Sequence, residues 1–217
     1  MQSAAKMSEV MAMAMNSSIP SLIFVSVCAI FLLICLVKTA RHRSAGFISI
    51  TAVLTALSVV GRIVFTPIAG FKPCTAIIII AGVSLGADAG FICGALTALI
   101  SNIYFGQGMW TFFQMVSWGL IGVLSGIFRS QLAKHKCQMY LFGAFSGVLY
   151  SFIMDVFSVI WQDGGFNLAR FIAYAAGSAP FCAVYAFSNV VFLLILGPRM
   201  IRSIGRVVLK YDLLKEN

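Results

Sequence analysis

Charge is scarce in this sequence, and so are most of the groups that chemistry needs. Asp, Glu, Lys and Arg together make up 10% of the chain, where a soluble domain carries about a quarter; a water-soluble fold of this size is excluded. Histidine occurs twice, as His42 and His135, both in basic stretches between apolar runs. No Ser–His pair, metal-ligand spacing or carboxylate dyad assembles from what remains, so the chain offers no catalytic residues and no metal site. The six cysteines are scattered, with no CxxC, and read as small packing residues. Only Cys74 stands near an expected outer helix end, where it could ligate a metal. A Walker A loop is missing, so any nucleotide-driven work belongs to another protein. A formal charge of +9 is of the sign a nucleic-acid partner needs, but the basic residues form no patch with exposed aromatics.

What the sequence has in abundance is apolar runs. Hydrophobic residues are 61% of the 217 and the mean hydropathy is +1.01, which makes a bilayer the natural solvent. A span needs roughly 20 apolar residues. The runs are Leu22 to Val37, Phe47 to Phe65, Thr75 to Ala87, Ala89 to Ile103, Thr111 to Phe128, Met139 to Ile160 and Phe171 to Leu196. The predicted fold is an all-α integral membrane protein: a six-segment bundle preceded by one extra helix.

The two runs around Asp88 are each short for a full crossing, and the basic residues decide how they run. If the pair makes a round trip, as two full spans or a short re-entrant pair, segments 38–46, 129–138 and 198–217 share one face. They hold eleven of the fifteen Lys and Arg. A single crossing would split them, against the positive-inside tendency. The predicted organisation is an external segment 1–19, an extra transmembrane helix 20–37, a basic cytoplasmic linker 38–46, a membrane domain 47–197 and a basic cytoplasmic tail 198–217. The basic cluster Lys38, Arg41 and Arg43 follows the first run rather than preceding it, which argues for a retained helix over a cleaved signal. The tail alternates Arg199, Arg202, Arg206, Lys210 and Lys215 with apolar residues, a pattern for lying on the inner membrane surface or meeting a cytoplasmic partner.

Small residues recur at four-residue spacing: Gly82, Gly86, Gly90 and Gly94, then Gly122 with Gly126, and Gly143 with Gly147. Such ladders let membrane helices approach closely. Asp88 is placed in the turn between the two short helices, as a cap for the second. Ala52 and Ala56 make an AxxxA pair on the run that starts at Phe47.

Polar residues in or beside the runs gather toward the expected outer side: Arg62, Lys72, Asn102, Tyr104, Gln107, Trp110, Gln114, Trp118, Asp155 and Trp161. Ionisable groups within a membrane are costly and mark functional sites, and rings with a few polar groups suit a pocket for a bulky polar ligand. An interfacial aromatic belt is the alternative account of the rings. Trp110, Gln114 and Trp118 fall at i, i+4 and i+8 on one helix face, as a ligand wall or as glue between helices. Asp155 and Arg62 would neutralise each other, hold a zwitterion, or serve a proton-coupled carrier.

The stretch GRIVFTPIAGFKP, then AGVSLGADAGFICGAL, SNIYFGQGMWTFFQM and WGLIGVLSG, resembles the S components of energy-coupling factor (ECF) transporters, most closely those assigned to cobalamin or other corrinoids. The resemblance implies a non-enzymatic subunit in a bacterial-type plasma membrane, N-terminus outside and C-terminus cytoplasmic, that captures a vitamin. It further implies a transmembrane coupling subunit and two cytoplasmic ATPase subunits as partners, with Ala52 and Ala56 as the coupling contact and the loops around Lys72 and Gln107 closing over the ligand. No cofactor is implied beyond the transported vitamin. Other ligands of the family (riboflavin, thiamin, a queuosine-like molecule), a stand-alone ion-coupled carrier and a structural membrane protein are the competing readings.

Overall fold

The computed structural model describes residues 43–212, with Ile30 ahead of them. The expected extra helix 20–37, residues 1–19, Lys38, Arg41 and His42 of the linker, and Lys215 lie outside the described residues. Among the described residues from 43 on, seven helices follow one another: α1 Ala45–Val64, α2 Cys74–Leu85, α3 Ala87–Phe105, α4 Met109–Ile127, α5 Arg129–Lys134, α6 Lys136–Asp163 and α7 Leu168–Tyr211. Five of them are long and apolar enough to cross a membrane. With α2 they form the six segments of an all-α membrane bundle, while α5 is a short helix in what the sequence presented as a basic loop.

α2 is the axis of the bundle. Its 12 residues span only about 18 Å, yet every one except Ser84 is buried. An isoleucine run from Ile77 to Ile80 leaves it apolar on all sides, the pattern of a helix enclosed by others. It meets α1, α3, α4 and α7. A helix wholly surrounded by protein has no need to match the bilayer's thickness.

The chain reverses at Gly86, whose φ of 102° lies where a side chain would be strained, and α3 returns alongside α2. Residues 74–103 therefore make a round trip of one short and one full-length helix. Asp88 is not the cap: Gly86 holds that position and offers no side-chain bond. Asp88 instead sits in the first turn of α3 and pairs with Arg43 at 2.8 Å, joining the start of α1 to the α2–α3 turn. Ser44 caps α1 by accepting from the Phe47 N–H at 3.3 Å.

Two glycine seams close the bundle. Gly90 of α3 and Gly122 of α4 face each other backbone to backbone, Gly94 lies on the carbonyl of Trp118, and Gly126 lies on Ala87. No Cβ fits at these points. Gly147 of α6 meets the backbone of Ala186 on α7 in the same way. Without a hydrophobic drive between helices in lipid, this contact is what packs them.

α7 continues for 44 residues, about 66 Å, roughly twice the hydrocarbon thickness. It passes through Pro198 to Tyr211, so the basic segment expected as a separate tail from 198 begins inside this helix. In this segment Met200, Ile201 and Ile204 pack on the core and Val208 is buried, while Val207 and Leu209 are exposed.

Candidate substrate-binding site

At the end of the bundle opposite the Arg43–Asp88 pair, α1, α2, α4, α6, α7 and the loop before α2 enclose a cavity of about 110 Å³. Arg62, Lys72, Cys74, Thr75, Gln114, Trp118, Gly147, Tyr150, Tyr185 and Asn189 line it.

Arg62 organises this site. It stands in the last turn of α1, on the buried face with Thr51, Thr55 and Ser58. A charged side chain there costs several kcal/mol unless its donors and charge are met. Its guanidinium lies between the rings of Phe105 at 4.7 Å and Trp118 at 4.8 Å, both within cation–π range. Nη1 donates to Ser101 Oγ and to Asn102 Oδ1 at 2.9 Å, while Nη2 donates to Gln114 Oε1 at 3.4 Å. All these acceptors are neutral.

A chain of hydrogen bonds runs on from them. Asn102 Nδ2 donates to Gln114 Oε1 at 2.8 Å and to Thr111 Oγ1 at 2.9 Å, and Gln114 Nε2 donates to the Tyr150 hydroxyl at 3.2 Å. Trp118 Nε1 donates to Thr75 Oγ1 at 3.1 Å. The Trp118 indole stacks on Tyr150 with centroids 5.1 Å apart and planes 18° apart, and Tyr185 meets Tyr150 edge-on at 5.5 Å. Connected in this way, the polar groups hold fixed positions and the rings form one wall.

Lys72 reaches the cavity from the loop. Its backbone is tied to α7, because its N–H donates to Ser188 Oγ at 2.9 Å and its carbonyl accepts from the same hydroxyl at 3.1 Å. The ammonium lies 5.4 Å from the centre of the Phe105 ring. Burial, and then repulsion from the Arg62 charge, hold Lys72 below the usual lysine range.

Of the residues singled out in the sequence, Arg62, Lys72, Gln114 and Trp118 line the cavity, with Asn102 fully buried behind them. The others stand apart. Trp110, on the same side of α4 two turns earlier, is exposed and folds over Gly108. Tyr104 is exposed, its neighbour Phe105 having taken the place against Arg62. Gln107 braces its own loop, donating to the Leu99 carbonyl at 2.8 Å and accepting from Thr111 at 2.9 Å. Asp155 accepts from Ser178 on α7 at 2.7 Å and does not meet Arg62. Trp161 is exposed beside Phe157. Sequence reasoning passed over Phe105, Tyr150 and Tyr185. The two tyrosines carried a signal, since a phenol inside an apolar run needs a partner for its hydroxyl.

On the far side of α1 from this pocket, Ile48, Val53, Leu57, Val60 and Val64 are exposed, and Ala52 and Ala56 are exposed between them. Beside that stripe runs an apolar groove of about 410 Å³ between α1 and the end of α7.

No curated protein and no solved structure matches the chain. The family model described as "ECF-type riboflavin transporter, S component" matches residues 44–203, from the cap of α1 to within α7. A multi-pass bundle and a match over most of its length agree: this chain belongs to the S components of ECF transporters, the substrate-binding membrane subunits of importers whose ATP hydrolysis resides in partner subunits.

Proposed function

We propose that the chain captures a vitamin-sized molecule with a flat heteroaromatic ring, riboflavin being the first candidate, in the cavity around Arg62, and delivers it by docking on a coupling subunit. The observation that carries this is the pairing of a stacked aromatic wall, Trp118 on Tyr150, with fixed polar groups aimed into one enclosed space. Rings cover the faces of such a ligand and the polar groups set its orientation. The riboflavin-type family model supports the same class. With the basic ends inside, as the positive-inside tendency favours, the cavity lies on the outer side. The exposed small-residue stripe of Ala52 and Ala56 is the contact for the coupling subunit.

A corrinoid is the second reading, carried by the sequence resemblance. Both a macrocycle and a flavin exceed about 110 Å³, so either would require the loops at 65–73 and 106–108 to part, the macrocycle by more. The stand-alone carrier loses its proposed charge pair, since Asp155 bonds to Ser178.

The test is a thermal-shift screen of the detergent-solubilised protein against riboflavin, cobalamin, cobinamide, thiamin, folate, biotin and pantothenate. One of them stabilises the protein, by about 2.7 kcal/mol at a hundredfold excess over Kd. Stabilisation by none overturns the reading. With the ligand so found, Gln114→Leu removes one polar contact, takes an acceptor from Arg62 and Asn102 and a donor from the Tyr150 hydroxyl, a loss of about 1–3 kcal/mol, and weakens binding about tenfold or more. Unaltered affinity would make Gln114 purely structural.

A further inference from the structure

Among the described residues, two cations and no anion line the cavity. Arg62 and Lys72 both line it, and the acids among the described residues are engaged elsewhere: Asp88 with Arg43, Asp155 with Ser178, Asp163 with Arg170, while Asp212 ends α7 far along the chain. The charged groups on the lining are donors only. A guanidinium has five N–H groups, and three hydrogen bonds engage Arg62. The Lys72 ammonium lies over the Phe105 ring with Arg62 and the Cys74 thiol as its titratable neighbours, and the Tyr150 hydroxyl, accepting from Gln114, keeps its own proton to give. Of the acceptors on the lining, Gln114 Oε1 is occupied by Asn102 and Arg62 and Thr75 Oγ1 accepts from Trp118, while Asn189, whose Nδ2 donates to the Gly143 carbonyl, adds a neutral amide oxygen.

Two like charges facing one partly desolvated space repel, and buried charge without a counterion is retained at a cost. A ligand that brings the missing charge removes both penalties on binding and gains charge-assisted hydrogen bonds. Resting on the reading of this cavity as the capture site, we propose that among molecules with the same ring it prefers the one bearing an acidic group, a carboxylate or a phosphate, held between Arg62 and Lys72 while the ring lies against Trp118, Tyr150 and Tyr185, so that riboflavin 5′-phosphate is favoured over riboflavin itself. Cationic vitamins are rejected by the same field. Specificity then rests on the charge state of the micronutrient as much as on the shape of its ring.

Pairs of probes that differ in this one group test it: nicotinate against nicotinamide, biotin against its amide, and riboflavin 5′-phosphate against riboflavin, titrated into the wild-type protein by calorimetry and by tryptophan fluorescence. The expected result is that the acidic member of at least one pair binds at least about tenfold tighter than its neutral partner, as loss of a hydrogen bond to a charged group predicts. Which pair responds separates carboxylate from phosphate. Lys72→Gln, a change in a loop, abolishes that preference and Lys72→Arg keeps it. If neutral members bind as tightly as the acids, or if Lys72→Gln leaves the preference intact, the charge proposal is overturned and the capture site stands. If no probe of either kind binds and the wider vitamin screen is also silent, the capture site itself is overturned.

Discussion

Replacing Ala52 and Ala56 together with Leu stops uptake through the coupling subunit while leaving the affinity of the purified protein for its ligand within about twofold, well under the 1.4 kcal/mol of a tenfold change. The expectation rests on the contrast between the two faces of α1. Thr51, Thr55, Ser58 and Arg62 follow one another down its buried face and lead to the cavity. Ala52 and Ala56 lie on the opposite, exposed face, where no described helix covers them. A smooth small-residue face lets a partner helix approach to backbone distance. Two leucines on it impose overpacking of about 1–3 kcal/mol each, enough together to lower the assembled fraction by about a hundredfold. Binding assayed in detergent and uptake assayed in cells carrying the coupling subunit and ATPases give the two readouts. Lost binding would mean that this face is internal packing, and intact uptake would place the coupling surface elsewhere.

A larger effect, on the fold itself, is expected at Gly122. Its Cα faces the backbone of Gly90, so even one added carbon runs into a carbonyl and peptide that have no rotamer to move to. Gly122→Val therefore forces α3 and α4 apart along the whole seam, displacing Gly94 from Trp118 and with it the ring that stacks on Tyr150. Overpacking costs about 1–3 kcal/mol where side chains can adjust. Against backbone the cost exceeds that, and total stabilities of about 5–15 kcal/mol leave little reserve. The variant should yield no monodisperse protein in detergent, by size-exclusion chromatography and thermal melting. Gly205 on α7 provides the contrast, because nothing lies within 4 Å of its Cβ position. Gly205→Ala keeps the fold and gains up to about 1 kcal/mol from helix propensity. A folded, ligand-binding Gly122→Val protein would show that the seam is not closed as described.

The bundle was legible because lipid imposes simple rules. Long apolar runs gave the spans, and basic residues between them forced the round trip at 74–103 that α2 and α3 make around Gly86. Length misled only where a helix is shielded: α2 is too short to span but needs no lipid contact. The site was legible in part, through polar residues that apolar surroundings make conspicuous. Arg62 and Gln114 are buried polar groups in an apolar chain, and they meet. The rings were harder, since Trp and Tyr serve both belts and pockets. Trp118 faces inward and Trp110, two turns away on the same helix, faces out. That difference follows from the helix start at Met109, which leaves Trp110 at the rim, and from Phe105 filling the position beside Arg62. Pairings across long separations, such as Arg43 with Asp88 or Asp155 with Ser178, depend on which helices become neighbours and left no local trace.

The central claim is that this chain binds and its partners drive. Proteoliposomes containing the purified protein alone, and others containing it with an ECF coupling subunit and both ATPases plus internal or external ATP, are to be compared for uptake of whichever radiolabelled vitamin the thermal screen identifies. The account predicts near-stoichiometric binding and no accumulation by the protein alone, with ATP-dependent accumulation in the complete complex. Sustained accumulation by the protein alone would contradict it.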